Sequence, residues 1–357
     1  MLFFELIQIA LGNRDRFSAV PTTKEWTDVF VESERQAVTG LLLRGIERLP
    51  AEQRPSQVLL LQWIGVGQMI EQRNRVMDER CKELISKLSA TSLHPTILKG
   101  QGVAQYYPDA LQRLRQPGDI DVYVSDGREK AIAYAKSLGQ KDIDWDYKHL
   151  HLKVWDDAEV EMHYHVEVLL NLWKNRKLQK WSREQNAQVH GSRFMVDGYP
   201  VTTPTVEFNV FYILLHIYRH FLYEGVGLRQ IVDYYFVLRM VHGEGFMVPD
   251  YVNAVHEFGM VKFAKGLMWM MHETLGMPGE WMLWEPDEKE GRYILEQVMA
   301  GGNFGHHDKR LKHSVGKLGA VKVILTHNLH LLTHYPSDVI WAPVWIVWHK
   351  LWKLTRV

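Results

Sequence analysis

The sequence predicts an α+β protein with a small mixed-sheet core, an N-terminal helical segment and a larger C-terminal helical region. Apolar residues recur at helical spacing early in the chain, give way to short apolar runs between turns, and then return to helical spacing. We place these three parts at residues 1–92, 93–203 and 204–357. At 357 residues the chain is long enough to bury a sizeable core.

Composition and charge exclude several classes of function. The 42 basic and 42 acidic side chains balance, which argues against coating of nucleic acid through overall charge. A single cysteine, Cys81, rules out an internal disulfide framework and fits a reducing compartment. The N-terminus lacks the basic start of a signal peptide, and no uncharged apolar run reaches the roughly 18 residues of a membrane span. We therefore expect a cytoplasmic protein without a transmembrane segment.

Helical patterns dominate both ends of the chain. Thr23 is predicted to cap the first well-marked helix, and Pro50 to end the next. Near-helical stripes predict further helices at about 55–88, 206–222, 228–241, 249–258, 260–275, 288–299 and, after a polar loop over 301–317, at 318–332.

The middle of the chain predicts a sheet. Its predicted elements are, in order, strand Pro95–Leu98, a Lys99-Gly100 turn, a helix through Tyr107, loop Asp109–Pro117, strand Ile120–Val124, a helix closed by Gly139, and a strand pair at about 148–155 and 159–166. The strand at Ile120–Val124 is preceded by a carboxylate at Asp119 and contains a second one at Asp121. Residues two apart share one face of a strand, so these carboxylates project together and suit a hard cation such as Mg²⁺. The alternatives are a solvated strand start and an Asp119 side chain that only caps the preceding turn.

Several motifs around this acidic strand resemble an uncharacterised nucleotidyltransferase family of the DNA polymerase beta-like superfamily. The matching residues are Leu98-Lys99-Gly100, Tyr107-Pro108, Arg115 to Asp121 with its Arg-x-x-Gly-Asp-Ile-Asp pattern, and Glu161-Met162-His163, with further matches at His216, at Leu228–Asp233 and at Tyr335–Ser337. The resemblance implies a nucleotidyltransferase-type core and covers most of the chain.

The resemblance also implies roles for particular residues. Asp119, Asp121 and Glu161 would hold two Mg²⁺ ions, or Mn²⁺, and would form the catalytic carboxylate set. Candidate nucleotide contacts are Lys99, Gly100, Arg115, Arg229 and Asp233, with Arg113 a weaker one. His163 and His216 would support the site from outside the metal shell.

The first turn departs from the superfamily pattern. The wider superfamily has Gly-Ser there, whereas this chain has Lys99-Gly100-Gln101, which offers no hydroxyl to a phosphate. Lysine could supply a point charge instead. From the resemblance we expect transfer of a nucleoside monophosphate from a nucleoside triphosphate (NTP) to an unknown small-molecule or protein acceptor. The alternatives are a catalytically silent protein that binds nucleotide or a partner, and a helical scaffold.

Other histidines and acids support competing interpretations. His149 and His151 share one strand face, and Glu161, His163, His165 and Glu167 share another, so one hairpin register would create a zinc-type site and the other would separate the groups. His216 and His220 are four apart on one helix, as are Arg229 and Asp233. The first pair suits a core or site-lining role better than metal binding. The pair of Arg229 and Asp233 predicts either an ion pair within the helix or, by the resemblance, side chains that face a nucleotide-binding cleft.

The C-terminus is rich in tryptophan from Val339 to Lys353 and ends with basic residues. This composition fits a helix that lies on a membrane surface, and it also fits a terminal helix docked on apolar protein surface. We favour docking, and Pro343 is expected near the start of the helix in either case.

Overall fold

The computed structural model describes residues 1–305 and 331–355, and it confirms the α+β class. Its N-terminal helices are α1 Leu2–Leu11, α2 Thr23–Arg35, α3 Thr39–Arg48 and α4 Gln57–Ser89, with a 3₁₀ turn at Ala51–Gln53. The cap of α2 is Thr22, so the prediction of Thr23 was one residue late. Thr22 Oγ1 accepts from the Glu25 amide at 3.3 Å, and Glu25 accepts from the Thr22 amide at 2.8 Å. This reciprocal capping box fixes the start of the helix.

A four-stranded mixed sheet forms the centre of the middle part. Its strands are β1 Pro95–Ile97, β2 Ile120–Val124, β3 His149–His151 and β4 Val160–His163. The spatial order is β1-β2-β4-β3, with β2 and β4 parallel and both outer strands antiparallel to their neighbours. The connection from β2 to β4 contains α7 Arg128–Ser137, which ends near Gly139 at a φ of 81°, as predicted. Because β2 and β4 run in the same direction, their N-terminal ends lie side by side.

Several elements of this part differ from the prediction. Strands β3 and β4 are shorter than 148–155 and 159–166, and the helix after the Lys99-Gly100 turn spans only Gln101–Ala104 (α5). A short helix, Asp109–Gln112 (α6), lies inside the predicted loop. Four further elements were not predicted: α8 Leu172–Glu184, α9 Asn186–Val189, and the hairpin β5 Ser192–Val196 with β6 Tyr199–Thr203.

Long buried helices follow the sheet. They are α10 Val206–Tyr223, α11 Leu228–Gly243, α12 Pro249–Glu257, α13 Val261–Leu275 and α14 Glu288–Gly301, with 3₁₀ turns at Gly279–Trp281 and Asn303–Gly305. The predicted loop over 301–317 and the predicted helix over 318–332 lie largely outside the described residues. The C-terminal helix spans Pro336–Leu354, so Pro343 lies inside it and not at its start, where it was expected.

Among the described residues, two hydrophobic clusters organise the fold. One joins α1–α3 to the helices after the sheet, and the other packs the sheet and α7 against the second half of α4. Side chains from the parts before and after residues 92 and 203 thus pack together, and the division at those positions stays a prediction. Across residues 1–305 and 331–355, no helix is long and apolar enough to cross a membrane.

Candidate active site

The acidic strand β2 places two carboxylates on one face of the sheet. Asp119 immediately precedes β2 and Asp121 is its second residue, so strand alternation points both side chains the same way. Asp121 is only 2% exposed, and its Oδ1 lies 3.0 Å from Lys99 Nζ. The Leu98 amide donates to the Asp121 carbonyl at 2.9 Å, which holds the Lys99-Gly100 turn beside the acidic strand.

Parallel pairing brings the third predicted carboxylate next to the second. Asp121 lies opposite Glu161 in the β2–β4 register. His163 Nε2 is 2.9 Å from Asp121 Oδ1 and 3.2 Å from Glu161 Oε2, so one imidazole links both carboxylates. The possible ligand atoms of Asp121, Glu161 and His163 all lie within 4.8 Å of one another. Within the described residues Asp119 does not belong to this closest group, although it lies beside it.

Charge interactions inside this group are strong because water is largely excluded. Burial raises the pKa of Asp121, but the Lys99 ammonium and His163 outweigh burial and hold that pKa at about 2. The negative charge of Asp121, followed by burial, raises the pKa of Asp119. Burial lowers the pKa of Lys99, but the surrounding carboxylates reverse the effect and raise it. Lys99 is therefore a cation held among acids.

A narrow cleft of about 30 Å³ opens between the acidic strand and the long helices. It is lined by Lys99, Gly100, Arg115, Gly118, Asp119, Asp121, Ile213, His216, Arg229, Gln230 and Asp233. Gly100 has a φ of 59°, in the left-handed region that favours glycine, which lets the turn pass beside Asp119. A larger cavity of about 540 Å³ is lined by residues of α4, α5 and β5 and by neighbouring loop residues, with Asp78, Gln101 and Arg113 among its walls.

The predicted arginines of the cleft have different surroundings. Arg115 is 6% exposed, and its Nε and Nη2 donate to the two oxygens of Asp233 at 2.7 and 2.8 Å. Tyr107 also donates to Asp233, at 2.7 Å. Asp233 thus binds across the cleft to the loop before β2, a contact that its spacing from Arg229 did not predict. Arg229 donates to the Gln116 carbonyl at 3.0 Å, and burial followed by the charge of Arg115 lowers the pKa of Arg229 to about 10.

A second buried ionic group lies behind His216. His216 Nδ1 is 3.3 Å from Glu167 Oε2, while Lys148 Nζ and Arg219 Nε are 3.6 and 3.5 Å from Glu167 Oε1. Burial, and then the charge of Lys99, lowers the pKa of His216, so this imidazole is neutral at pH 7. Four residues near the site were not predicted from the sequence: Lys148, Arg219, Ile213 and Gln230. Helical spacing from His216 and Asp233 could have identified Ile213 and Gln230.

The hairpin register brings the competing histidines onto the acidic face. His149 lies opposite His163, and His151 lies opposite Glu161. The possible ligand atoms of His149, His151 and Glu161 all lie within 4.8 Å of one another. Burial and the neighbouring His163 lower the pKa of His149 to about 4, so its imidazole is neutral at pH 7. Of the two registers considered from the sequence, the structure has the one that joins histidines and acids.

An acidic strand beside a glycine turn, covered by helices, is the layout of a nucleotidyltransferase-type α+β protein. The model of a family described as uncharacterised nucleotidyltransferase matches residues 22–276, well over half of the chain. The chain belongs to this family, which confirms the resemblance seen in the sequence motifs. No curated protein and no solved structure matches the chain.

Proposed function

We propose that this protein is a Mg²⁺-dependent enzyme that transfers a nucleoside monophosphate from an NTP to a hydroxyl acceptor. The acceptor would be a small molecule or a protein side chain. The observation that carries the proposal is the pairing of Asp121 with Glu161 beside Asp119, at a cleft that also holds Lys99 and Arg229. A cytoplasmic location belongs to the same proposal, since the chain has one cysteine.

The oxygen donors on the acidic face fit a hard divalent cation. Asp119, Asp121 and Glu161 would hold two Mg²⁺ ions, or Mn²⁺, because carboxylate oxygens are their preferred protein ligands. When bound, such ions stabilise the attacking and leaving oxygens of an in-line displacement. His163 would keep Asp121 and Glu161 together, since its Nε2 contacts both.

Positive side chains of the cleft would bind the phosphates. Lys99 and Arg229 line the cleft and carry the charge that a triphosphate requires. Gly100 keeps the turn free of a side chain, so phosphate oxygens can approach its backbone. Arg115 and Asp233 would act together as a clamp that fixes the loop leading into Asp119, because their side chains are bound to each other. His216 would line the base or sugar side of the cleft.

The silent-binder alternative also has structural support. The Lys99 ammonium already lies 3.0 Å from Asp121, on a carboxylate that Mg²⁺ would bind. Turnover of an NTP at two metal ions therefore requires Lys99 to leave the carboxylates. If the lysine does not leave, the protein would be a regulator that binds a partner or a nucleotide without turnover.

Calorimetry with ATP, GTP, CTP and UTP, each with and without Mg²⁺, tests the proposal. We expect Mg²⁺-dependent binding of at least one NTP, and its loss in Asp119→Asn and Asp121→Asn. The exposed Asp28→Asn on α2 is the matched control and should bind as the unmodified protein does. No Mg²⁺-dependent binding of any NTP would contradict the proposal.

Pyrophosphate release separates the two candidate functions. The protein, a radiolabelled NTP that binds, Mg²⁺ and cell extract as a source of acceptors should release pyrophosphate and label an acceptor. Binding without pyrophosphate would favour the silent regulator. Retention of both signals in Asp119→Asn and Asp121→Asn would show that the site lies elsewhere.

A further inference from the structure

The outer edge of the sheet carries two histidines that the proposed transfer reaction does not use. His149 and His151 lie on β3, on the same face as Glu161 of β4. Their ring centroids are 5.1 Å apart, and the His149 ring lies 5.0 Å from the His163 ring. The imidazoles of His149, His151 and His163 thus all lie near Glu161.

The distances in this group suit a small tetrahedral ion. His149 Nδ1 lies 3.3 Å from Glu161 Oε2. Two ligands at about 2.1 Å from a tetrahedral zinc ion are separated by roughly 3.4 Å, which is close to that distance. The His149 Nδ1 atom is buried and makes no hydrogen bond to the described residues, although it lies beside a carboxylate. Its position places an imidazole nitrogen and a carboxylate oxygen at the separation that a shared ion requires.

We propose that His149, His151 and Glu161 form a site for a borderline divalent ion of the Zn²⁺ type, next to the proposed Mg²⁺ site and sharing Glu161 with it. Two imidazole nitrogens and one carboxylate oxygen are a donor set that zinc prefers over magnesium. Three protein ligands leave the fourth tetrahedral position for water or a substrate oxygen. His151 is exposed, so that position is accessible from solvent.

Glu161 connects this site to the carboxylate group. It contributes one oxygen, Oε2, to contacts with both His149 and His163. Glu161 would thus be a ligand of both sites, so occupancy of one affects the other. His149 and His151 belong to the zinc-type site alone, and Asp119 and Asp121 to the proposed Mg²⁺ site alone, so substitutions at these residues separate the two sites.

Zinc titration in the absence of Mg²⁺ tests this site, because Mg²⁺ would compete for the shared Glu161. We expect saturable Zn²⁺ binding by calorimetry that weakens by more than about 100-fold in His149→Ala and in His151→Gln, because loss of a direct ligand exceeds the 10–100-fold typical of outer partners. His256→Ala removes an exposed histidine on α12 and should leave the affinity unchanged. Asp119→Asn should also leave the Zn²⁺ affinity unchanged, because Asp119 is a ligand of the proposed Mg²⁺ site only. A failure of the Mg²⁺ proposal is therefore distinguishable from a failure of the zinc proposal.

A spectroscopic measurement covers the case in which His149→Ala does not fold. Co²⁺ bound to the unmodified protein should give visible ligand-field bands typical of nitrogen and oxygen ligands in a tetrahedral site. Those bands should disappear in His151→Gln, whose replaced side chain is exposed, and should persist in His256→Ala. Zinc affinity and cobalt bands that are the same in His151→Gln and in the unmodified protein would overturn the proposal.

Discussion

The Arg115–Asp233 pair connects the loop before the acidic strand to helix α11. Both side chains are almost fully buried, at 5% and 8% exposure, and the contact uses both oxygens of the carboxylate. A buried ion pair adds little net stability compared with apolar residues, because both charges lose their hydration. Removal of one partner is costly, since it leaves the other charged and buried.

Replacement of Arg115 with alanine should therefore lower the free energy of unfolding by about 3–5 kcal/mol. Urea unfolding followed by circular dichroism measures this loss. Lys180→Ala on α8 is the control, because its contact with Glu184 is 3.7 Å long and both side chains are exposed. That change should cost less than about 0.5 kcal/mol. Equal effects of the two substitutions would contradict a buried clamp.

Two buried tyrosines provide a matched pair. Tyr107 donates to the Asp233 carboxylate at 2.7 Å, whereas the Tyr212 hydroxyl makes no hydrogen bond to the described residues. Burial, and then the charges of Asp121 and Glu167, raises the pKa of Tyr212. Its phenol is thus held neutral and near the acidic face.

Tyr107→Phe should destabilise the protein by about 1.5–3 kcal/mol, because it removes a hydrogen bond to a charged group. Tyr212→Phe should change stability by less than about 0.5 kcal/mol, since no partner is left unsatisfied. Thermal and urea unfolding of both variants compare the two values. A larger loss for Tyr212→Phe would mean that its hydroxyl has a structural partner.

At the scale of the element, the C-terminal helix docks on the protein through its tryptophans. Trp345, Trp348 and Trp352 surround the Tyr147 ring at centroid distances of 5.5, 5.2 and 5.1 Å. Lys353 Nζ donates to the Trp145 carbonyl at 2.8 Å. These contacts favour the docking interpretation for this face of the helix. The His165 ring also stacks on the Tyr147 ring, at a centroid distance of 4.7 Å.

His165 makes this region sensitive to acid. Burial, followed by the charge of Arg183, lowers the pKa of His165 from 6.5 to about 4. As the pH falls, the unfolded chain therefore binds a proton at His165 before the folded chain does. The stability that depends on neutral His165 is complete above about pH 6.5 and is lost as the pH falls towards about 4. The shift corresponds to about 3 kcal/mol. His165→Gln should flatten the fall in urea stability between pH 6.5 and 4, whereas His256→Gln should not. Parallel curves for His165→Gln and the unmodified protein would refute this assignment.

Local sequence patterns predicted some of the helices and strands and missed others. Helical periodicity predicted α4, α10, α11 and α13 within about two residues, because each has a continuous apolar face. Hairpin β5–β6 was missed although its signal was present: Asp197-Gly198 forms its two-residue turn with φ values of 46° and 79°. Helix α8 has few apolar residues, and only its Asn171 cap marks its start.

The residues of the candidate site also differ in whether the sequence alone could predict their arrangement. The spacing of Asp119 and Asp121, and the resemblance that added Glu161, were available from the chain alone. The parallel alignment of β2 with β4 was not, because register depends on how the sheet assembles. The pairing of Arg115 with Asp233 spans 118 positions and has no local signature. Long-range contacts of this kind decide which predicted residues reach the cleft.

At the scale of the whole molecule, the part of the chain that contains the small sheet packs against helices that lie outside residues 93–203. One is the second half of α4, whose Met77, Cys81 and Leu84 pack in the sheet cluster. The others are α10 and α11. Asn209 of α10 donates to the Tyr106 hydroxyl at 3.1 Å, and Asp233 of α11 holds Arg115 and Tyr107. Without α4 the sheet cluster loses part of its apolar packing, and without α10 and α11 the segment before β2 loses its buried polar partners.

Residues 93–203 alone should therefore fail to unfold cooperatively, whereas the whole chain should unfold in one transition that includes the sheet. A fragment of residues 57–203, which restores α4 but not α10 and α11, is the matched comparison, and we expect it to regain helix without a cooperative transition. Urea titrations followed by circular dichroism and by tryptophan fluorescence test this, because coincident curves indicate one cooperative unit. A steep, reversible transition in the 93–203 fragment would instead establish an independent domain at those boundaries, and the acidic strand could then be studied without its helical cover.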